Sequence, residues 1–152
     1  MYDTILVATD GSDPSEAAVD HALDLAKQYG ATLHALTVVD TRVYTDVDIR
    51  ATPVFDALEE QAQETVDAVA EAGAAVDVPV VTAVEHGSPA SAIVDYATGH
   101  DVDVVVVGTH GRRGVRRVVL GSVAERVVRN APVPVLTVRD TESETDDASR
   151  PR

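Results

Sequence analysis

The chain has 152 residues, is 45% hydrophobic but only 3% aromatic, and carries a net charge of −14; that length bounds it to one domain with a core of Val, Ala, Leu and Ile. It contains no cysteine, which excludes disulfides and thiolate chemistry, and no apolar run reaches the roughly 18 residues of a membrane span. Its opening, MYDTILVATDGS, lacks the basic segment of a signal peptide, so a cytoplasmic protein is expected, and seventeen Asp against a single Lys fit a surface adapted to high salt.

Thr4–Thr9 (TILVAT) reads as a buried strand. Helix-start chemistry follows, with Asp13 as cap, Pro14 as first helical residue and Glu16 as capping-box partner. Ala18, Ala22, Leu25, Ala26 and Tyr29 recur at helical spacing, and Gly30 is placed to stop the helix. Ala31–Asp40 reads as a second strand, and Thr41–Ala51 as a polar loop. Phe55, Leu58, Ala62, Val66, Val69 and Ala70 form the stripe of a second helix ending near Gly73. Val78–Gly87 is a third strand. Ser88–His100 is a third helix, capped by Ser88 with Pro89 in its first turn. Asp101–Gly108 is a fourth strand, Ser122–Asn130 a fourth helix and Val133–Asp140 a fifth strand. Residues 141–152 are polar, charged and aperiodic, and read as a disordered tail behind a domain of residues 1–140. Strands and helices alternate, and the strands are almost continuously apolar. That pattern predicts an α/β fold, a doubly wound parallel sheet with helices on both faces.

In such a sheet ligands lie beyond the carboxyl ends of the strands, where strand order reverses. Two ends carry unusual residues: Ala8-Thr9-Asp10-Gly11 and Val107-Gly108-Thr109-His110-Gly111. These loops face each other if the first and fourth strands are neighbours. Glycine lets backbone N–H groups approach a ligand closely, and consecutive N–H groups can cradle phosphate oxygens. Gly121 and Ser122 open the fourth helix, whose free N–H groups and dipole favour an anion. Val104–Arg139 holds seven arginines and one acid, a local charge of +6 against −20 for the remainder. That distribution permits a small anion and argues against a broad nucleic-acid face. The spacing Gly108-x-x-Gly111-x-x-Gly114 is not the dinucleotide fingerprint, and Lys27 lies far from any Walker A position.

The pattern that does fit is Gly-x-x-Gly, nine residues, Gly-Ser, at Gly108, Gly111, Gly121 and Ser122. With TILVATDGS, TVVD, HGSPASAIVDYA and the run from Asp101 to Arg139, it resembles the ATP-binding universal stress proteins over residues 1–139. The resemblance implies five parallel strands in the order 3-2-1-4-5, the adenine-nucleotide alpha-hydrolase-like fold. It implies a homodimer through the fifth strand, Val133 to Val138, an apolar edge that invites a partner. ATP and Mg are the implied cofactors. Asp10, with Ala8 and Thr9 beside it, would meet the ribose or the Mg. Val38 would hold adenine through its backbone, with Gly87 on the base side. Val107 and Gly108 would pass under the ribose. Gly111, Arg112, Gly121, Ser122 and Val123 would contact the phosphates, with His110 lining the loop.

Plainer readings stand beside these. Asp10 alone is also a helix-entry residue, and each glycine alone a turn residue. Ser122 and Glu125 have capping-box spacing. His110 between two loop glycines reads as structural or as a polar lining. Arg113, Arg116 and Arg117 suit a solvated face as well as a phosphate or partner surface. His21, His34, His86 and His100 show no metal spacing. No general base with an orienting partner and no arginine finger is evident, so no catalytic residue is assigned. The leading function is a nucleotide-binding stress module with at most slow hydrolysis. The alternatives are an ATP-dependent hydrolase or nucleotidyl transferase, and a dimeric interaction protein with a vestigial pocket.

Overall fold

The computed structural model describes residues 1–42, 52–110 and 120–140. Nine elements follow in chain order: β1 (Thr4–Ala8), α1 (Asp13–Tyr29), β2 (Thr32–Val39), α2 (Pro53–Ala75), β3 (Val80–His86), α3 (Pro89–Gly99), β4 (Val104–Gly108), α4 (Ser122–Asn130) and β5 (Val135–Val138). The sheet has the order β3-β2-β1-β4-β5, and every neighbouring pair is parallel. Fold class and strand order are those expected.

The two-residue period of each strand divides the core into two layers. Ile5, Val7, Leu33, Ala35, Val104 and Val106 face α1 and α2. Leu6, Leu36, Val105 and Val107 face α3 and α4. With both faces covered, alternation of polar and apolar residues disappears, which is why the strands read as continuous apolar runs. On α1 the fully buried stripe is Ala18, Ala22 and Ala26. Small residues at that spacing let the helix lie close on the sheet. Leu25 is only partly buried and Tyr29 is 44% exposed, resting edge-on against Tyr2 with ring centroids 4.9 Å apart.

Several boundaries differ from expectation. The N-cap of α1 is Ser12, and Asp13 is its first helical residue, so the Asp13–Glu16 capping box does not form. The N-cap of α4 is Gly121, with Ser122 inside the helix and no side-chain cap bond. Glu125 pairs with Arg129 at 2.7 Å instead of returning to a cap. Ser88 is the N-cap of α3 as expected, but its hydroxyl makes no cap bond there. β4 begins at Val104 because Asp101 sits in the left-handed region with φ 50° and Asp103 spends its carboxylate on another strand. That carboxylate accepts the N–H groups of Asp3 at 2.8 Å and Thr4 at 2.9 Å, pinning the start of β1 beside β4. No helix among the described residues is long and apolar enough to cross a membrane.

Candidate functional site

β1 lies between β2 and β4, so the chain's winding reverses at the β1/β4 junction. After Ala8 the chain turns into α1 on one face; the segment after Gly108 leads to α4 on the other. The two loops therefore part around a crevice at the carboxyl end of the sheet, the place where such folds bind ligands.

The first loop is held by hydroxyl groups. Thr9 is buried and its N–H continues the ladder onto the Leu36 carbonyl at 2.9 Å. The Thr37 hydroxyl donates to the Thr9 carbonyl at 2.8 Å. The Ser15 hydroxyl donates to the Ser12 carbonyl at 2.9 Å. With its one proton committed there, the 2.9 Å contact between Thr9 and Ser15 hydroxyls runs from Thr9 as donor. Thr9 Oγ1 also accepts the Gly11 N–H at 3.2 Å. Asp10 is half-buried, and its Oδ1 accepts both the Ser12 N–H, at 2.9 Å, and the Ser12 hydroxyl.

The second loop packs against the first turn of α1. A Cβ on Gly108 would lie 2.9 Å from the Pro14 carbonyl oxygen and 3.3 Å from that of His110. Thr109 is buried, and its N–H reaches the Val138 carbonyl at 2.9 Å. The Thr109 carbonyl accepts the Gly121 N–H, so the two ends of the intervening segment meet. The Thr109 hydroxyl lies 3.1 Å from His110 Nδ1, which gives His110 a local structural contact. Gly111 and Arg112, and with them Arg113, Arg116 and Arg117, lie outside the described residues. The first intrahelical bond of α4 runs from the Glu125 N–H to the Gly121 carbonyl at 2.9 Å. The N–H groups of Ser122 and Val123 precede it and point out of the helix start. The N–H of Gly121 is already spent on Thr109.

Val38 and Gly87 stand on the β2–β3 side. In a parallel ladder alternate residues address opposite neighbours. Leu36 faces β1, receiving the Thr9 N–H, and Val39 faces β3, receiving the Gly87 N–H at 3.0 Å. Val38 must therefore turn its N–H and C=O toward the β1 side, two residues beyond the pairing of Ala8 with Leu36. Gly87 has φ 116°, and the space where a Cβ would stand is open to 4 Å. Val107 sends its side chain into the core, 4% exposed, so only its backbone faces the crevice. Beside Gly87, His86 pairs with Glu59 and stacks on Phe55, ring centroids 5.3 Å apart, tying the start of α2 to the end of β3.

Ala8, Thr9, Asp10, Val38, Gly87, Gly108, His110, Gly121, Ser122 and Val123 lie at or just after the ends of β1, β2, β3 and β4 or at the start of α4, toward the carboxyl end of the sheet. Sequence reasoning missed Ser12, Ser15, Thr37 and Thr109, whose hydroxyls shape it. Their signal was present, as Thr37 near the end of β2, Thr109 just after β4, and Ser12 and Ser15 in the turn and first helical turn that follow β1. The histidines are less scattered than their spacing suggests. His34 and His100 approach to 5.8 Å around Tyr96, at the opposite end of α3 from Ser88. His34 Nδ1 meets the Tyr96 hydroxyl at 2.7 Å. Burial, and then the charge of His100, hold His34 below its usual pKa. Burial, and then Glu85, push the Tyr96 hydroxyl up.

Comparison with known proteins places this crevice in context. The family model described as the universal stress protein family matches residues 1–139. A universal stress protein of Methanocaldococcus jannaschii is 36% identical over 146 residues, covering 95% of this chain and 86% of that protein. The solved UspA of Lactobacillus plantarum aligns with a TM-score of 0.76 at 33% identity, covering 91% of this chain and 98% of its own. A universal stress protein solved in complex with cAMP aligns with a TM-score of 0.70 at 27% identity, covering 90% and 97%.

Proposed function

The chain belongs to the universal stress protein family, and on that premise we propose that it binds ATP, carried with Mg, at the β1/β4 switch point as a homodimeric cytoplasmic stress-response module. The feature that supports this reading is the ladder alternation that turns the N–H and C=O of Val38 toward the β1 side, two residues beyond the pairing of Ala8 with Leu36, at the end of the sheet where Asp10 and Gly108 follow β1 and close β4. A backbone N–H beside a C=O matches the acceptor–donor edge of adenine without any side chain. A relative that binds cAMP supports an adenine nucleotide as the ligand class. Phosphates would then lie toward the N–H groups of Ser122 and Val123, where the α4 dipole favours negative charge. Gly111 and Arg112 complete this reading from sequence alone.

Mg fits as a passenger of the phosphates and not as a resident ion. Among the described residues no group of three or more His, Asp or Glu could hold a metal. Asp10 supplies one carboxylate, which suits an ion that keeps most of its waters and its phosphate ligands. Dimerisation through β5 has its support in an edge strand that leaves Leu136 36% exposed. No residue is assigned to hydrolysis, which in this reading is slow at most. Calorimetric titration of nucleotide-free protein with Mg-ATP in high KCl tests the proposal. Saturable binding is expected; absence of binding by ATP, ADP and AMP alike would sink it in favour of an interaction protein with a vestigial pocket.

A further inference from the structure

Toward the amino end of the sheet, away from the crevice, two imidazoles meet around one tyrosine. His34 lies near the start of β2, and His100 is the C-cap of α3. Their ring centroids are 5.8 Å apart, with the ring planes at 60°. Each ring is oriented through its Nδ1. That of His100 lies 3.0 Å from the Tyr96 carbonyl oxygen. A carbonyl only accepts, so Nδ1 carries the proton and the lone pair falls on Nε2. The same ring stacks on Tyr96, with centroids 3.7 Å apart. His34 Nδ1 meets the Tyr96 hydroxyl at 2.7 Å. A hydroxyl accepts as well as donates, so His34 has the same tautomer open to it, with its lone pair on Nε2. Tyr96 is buried and holds both rings from a fixed position, whereas His34 is half-buried and His100 exposed, which leaves the pair open to solvent.

We propose that His34 and His100 form a binding site for a divalent transition ion of the zinc class, held by the two Nε2 atoms with water in its remaining positions. Imidazole suits Zn, Cu and Ni. Two imidazoles on one ion, each bonded at about 2.0–2.1 Å, place their ring centroids roughly 5–6.5 Å apart, a range that includes the spacing in this pair. An Nδ1 engaged by a carbonyl or a hydroxyl is the outer-shell arrangement that orients a ligating histidine. The C-terminal end of α3 adds the negative pole of its dipole, which favours a cation. Burial, and then His100, hold His34 below its usual pKa, which favours the neutral form that ligates. Among the described residues no third His, Asp or Glu joins the pair as a metal-holding group. Water therefore completes the coordination, and the ion is held less tightly than in a closed structural site. Bound there, it would clamp the end of α3 to β2, whatever the crevice binds.

The test is calorimetric titration of the full chain with zinc chloride at neutral pH, paired with electron paramagnetic resonance of the Cu(II)-loaded protein. The wild type is expected to take one ion per chain, with splitting from two imidazole nitrogens in the Cu(II) spectrum. His100→Gln changes an exposed side chain and should fold as the wild type does. It should weaken Zn(II) binding by more than about tenfold, the smallest loss typical even of an outer-shell partner, and His34→Gln should do the same. Each variant should lose the two-nitrogen splitting. Failure of the wild type to bind Zn(II) overturns the inference. Equal Zn(II) affinity in the wild type and both variants, or a Cu(II) spectrum without nitrogen splitting, also overturns it, because either result assigns the ion to surface carboxylates.

Discussion

The carbonyl oxygen of Pro14 lies 2.9 Å from where a Cβ on Gly108 would stand. The first glycine of the loop pattern therefore has a packing reason of its own, since α1 can seat on the end of β4 only over a residue without a side chain. Gly108→Ala should destabilise the ligand-free protein by about 1–3 kcal/mol, the range for forcing an extra carbon into a packed contact. Denaturant unfolding without nucleotide measures it. An unchanged midpoint would return Gly108 to a purely ligand-facing role.

Gly121 makes the opposite prediction. Its backbone, φ −68° and ψ 164°, is extended and open to any residue. Gly121→Val should therefore fold and assemble as the wild type does. It should still lose nucleotide affinity by an order of magnitude or more, because a branched side chain stands at the mouth of α4 where phosphate would lie. Calorimetry with Mg-ATP and size measurement on the same sample check both halves. Equal affinity in variant and wild type would remove the phosphate from this helix start.

Val-rich strands, the helical stripes and the two glycine-bearing strand ends were legible in the sequence because each depends on local spacing. Caps were legible only to within a residue. Ser12, Asp13 and Ser15 are all good cap types, and nothing local says that the first will spend its hydroxyl on Asp10. The role of Thr37 required knowing that β2 ends beside Thr9, and that of Ser15 required the fold of the turn that brings it back to Thr9. The meeting of His34 with His100 required the docking of α3 on β2. Gly108 was readable as a glycine that matters, but not as one that matters for the seat of α1.

The His34–Tyr96–His100 cluster predicts acid sensitivity. His34 is held below its ordinary value of 6.5 by burial and by the neighbouring His100. It therefore takes up a proton less readily in the folded protein than when unfolded. A depressed folded pKa contributes stability that is complete above 6.5 and is lost as pH falls through the folded value. Around it the sheet presents Leu6 of β1 and Val81 of β3 at the same register, neither of them titratable. His34→Gln, which keeps a polar contact for Tyr96, should flatten the decline in unfolding free energy between pH 7 and pH 5, about the range in which an unperturbed His titrates. A decline of the same slope in the variant would assign it to other groups.

Asp103 predicts a second acid transition, separate from the first. The N–H groups of Thr4 and Asp3 hold its carboxyl below its ordinary value of 3.8. The sign is that of a carboxylate bonded in its charged form: its contribution is complete above 3.8 and fades as pH falls through the lower folded value. Those two N–H groups lead into β1, and the carboxylate ties them to β4 at the foot of the crevice-forming strand pair. Asp103→Ala should lower the unfolding midpoint at neutral pH, where the carboxylate bonds are made, and leave it nearly equal to the wild type at pH 2. His34→Gln should do neither. A pH series of unfolding midpoints on the two variants and their double mutant separates the contributions, which should add because no contact between the two residues is made. A midpoint difference for Asp103→Ala that persists undiminished at pH 2 would mean that its side chain acts through packing and not through charge.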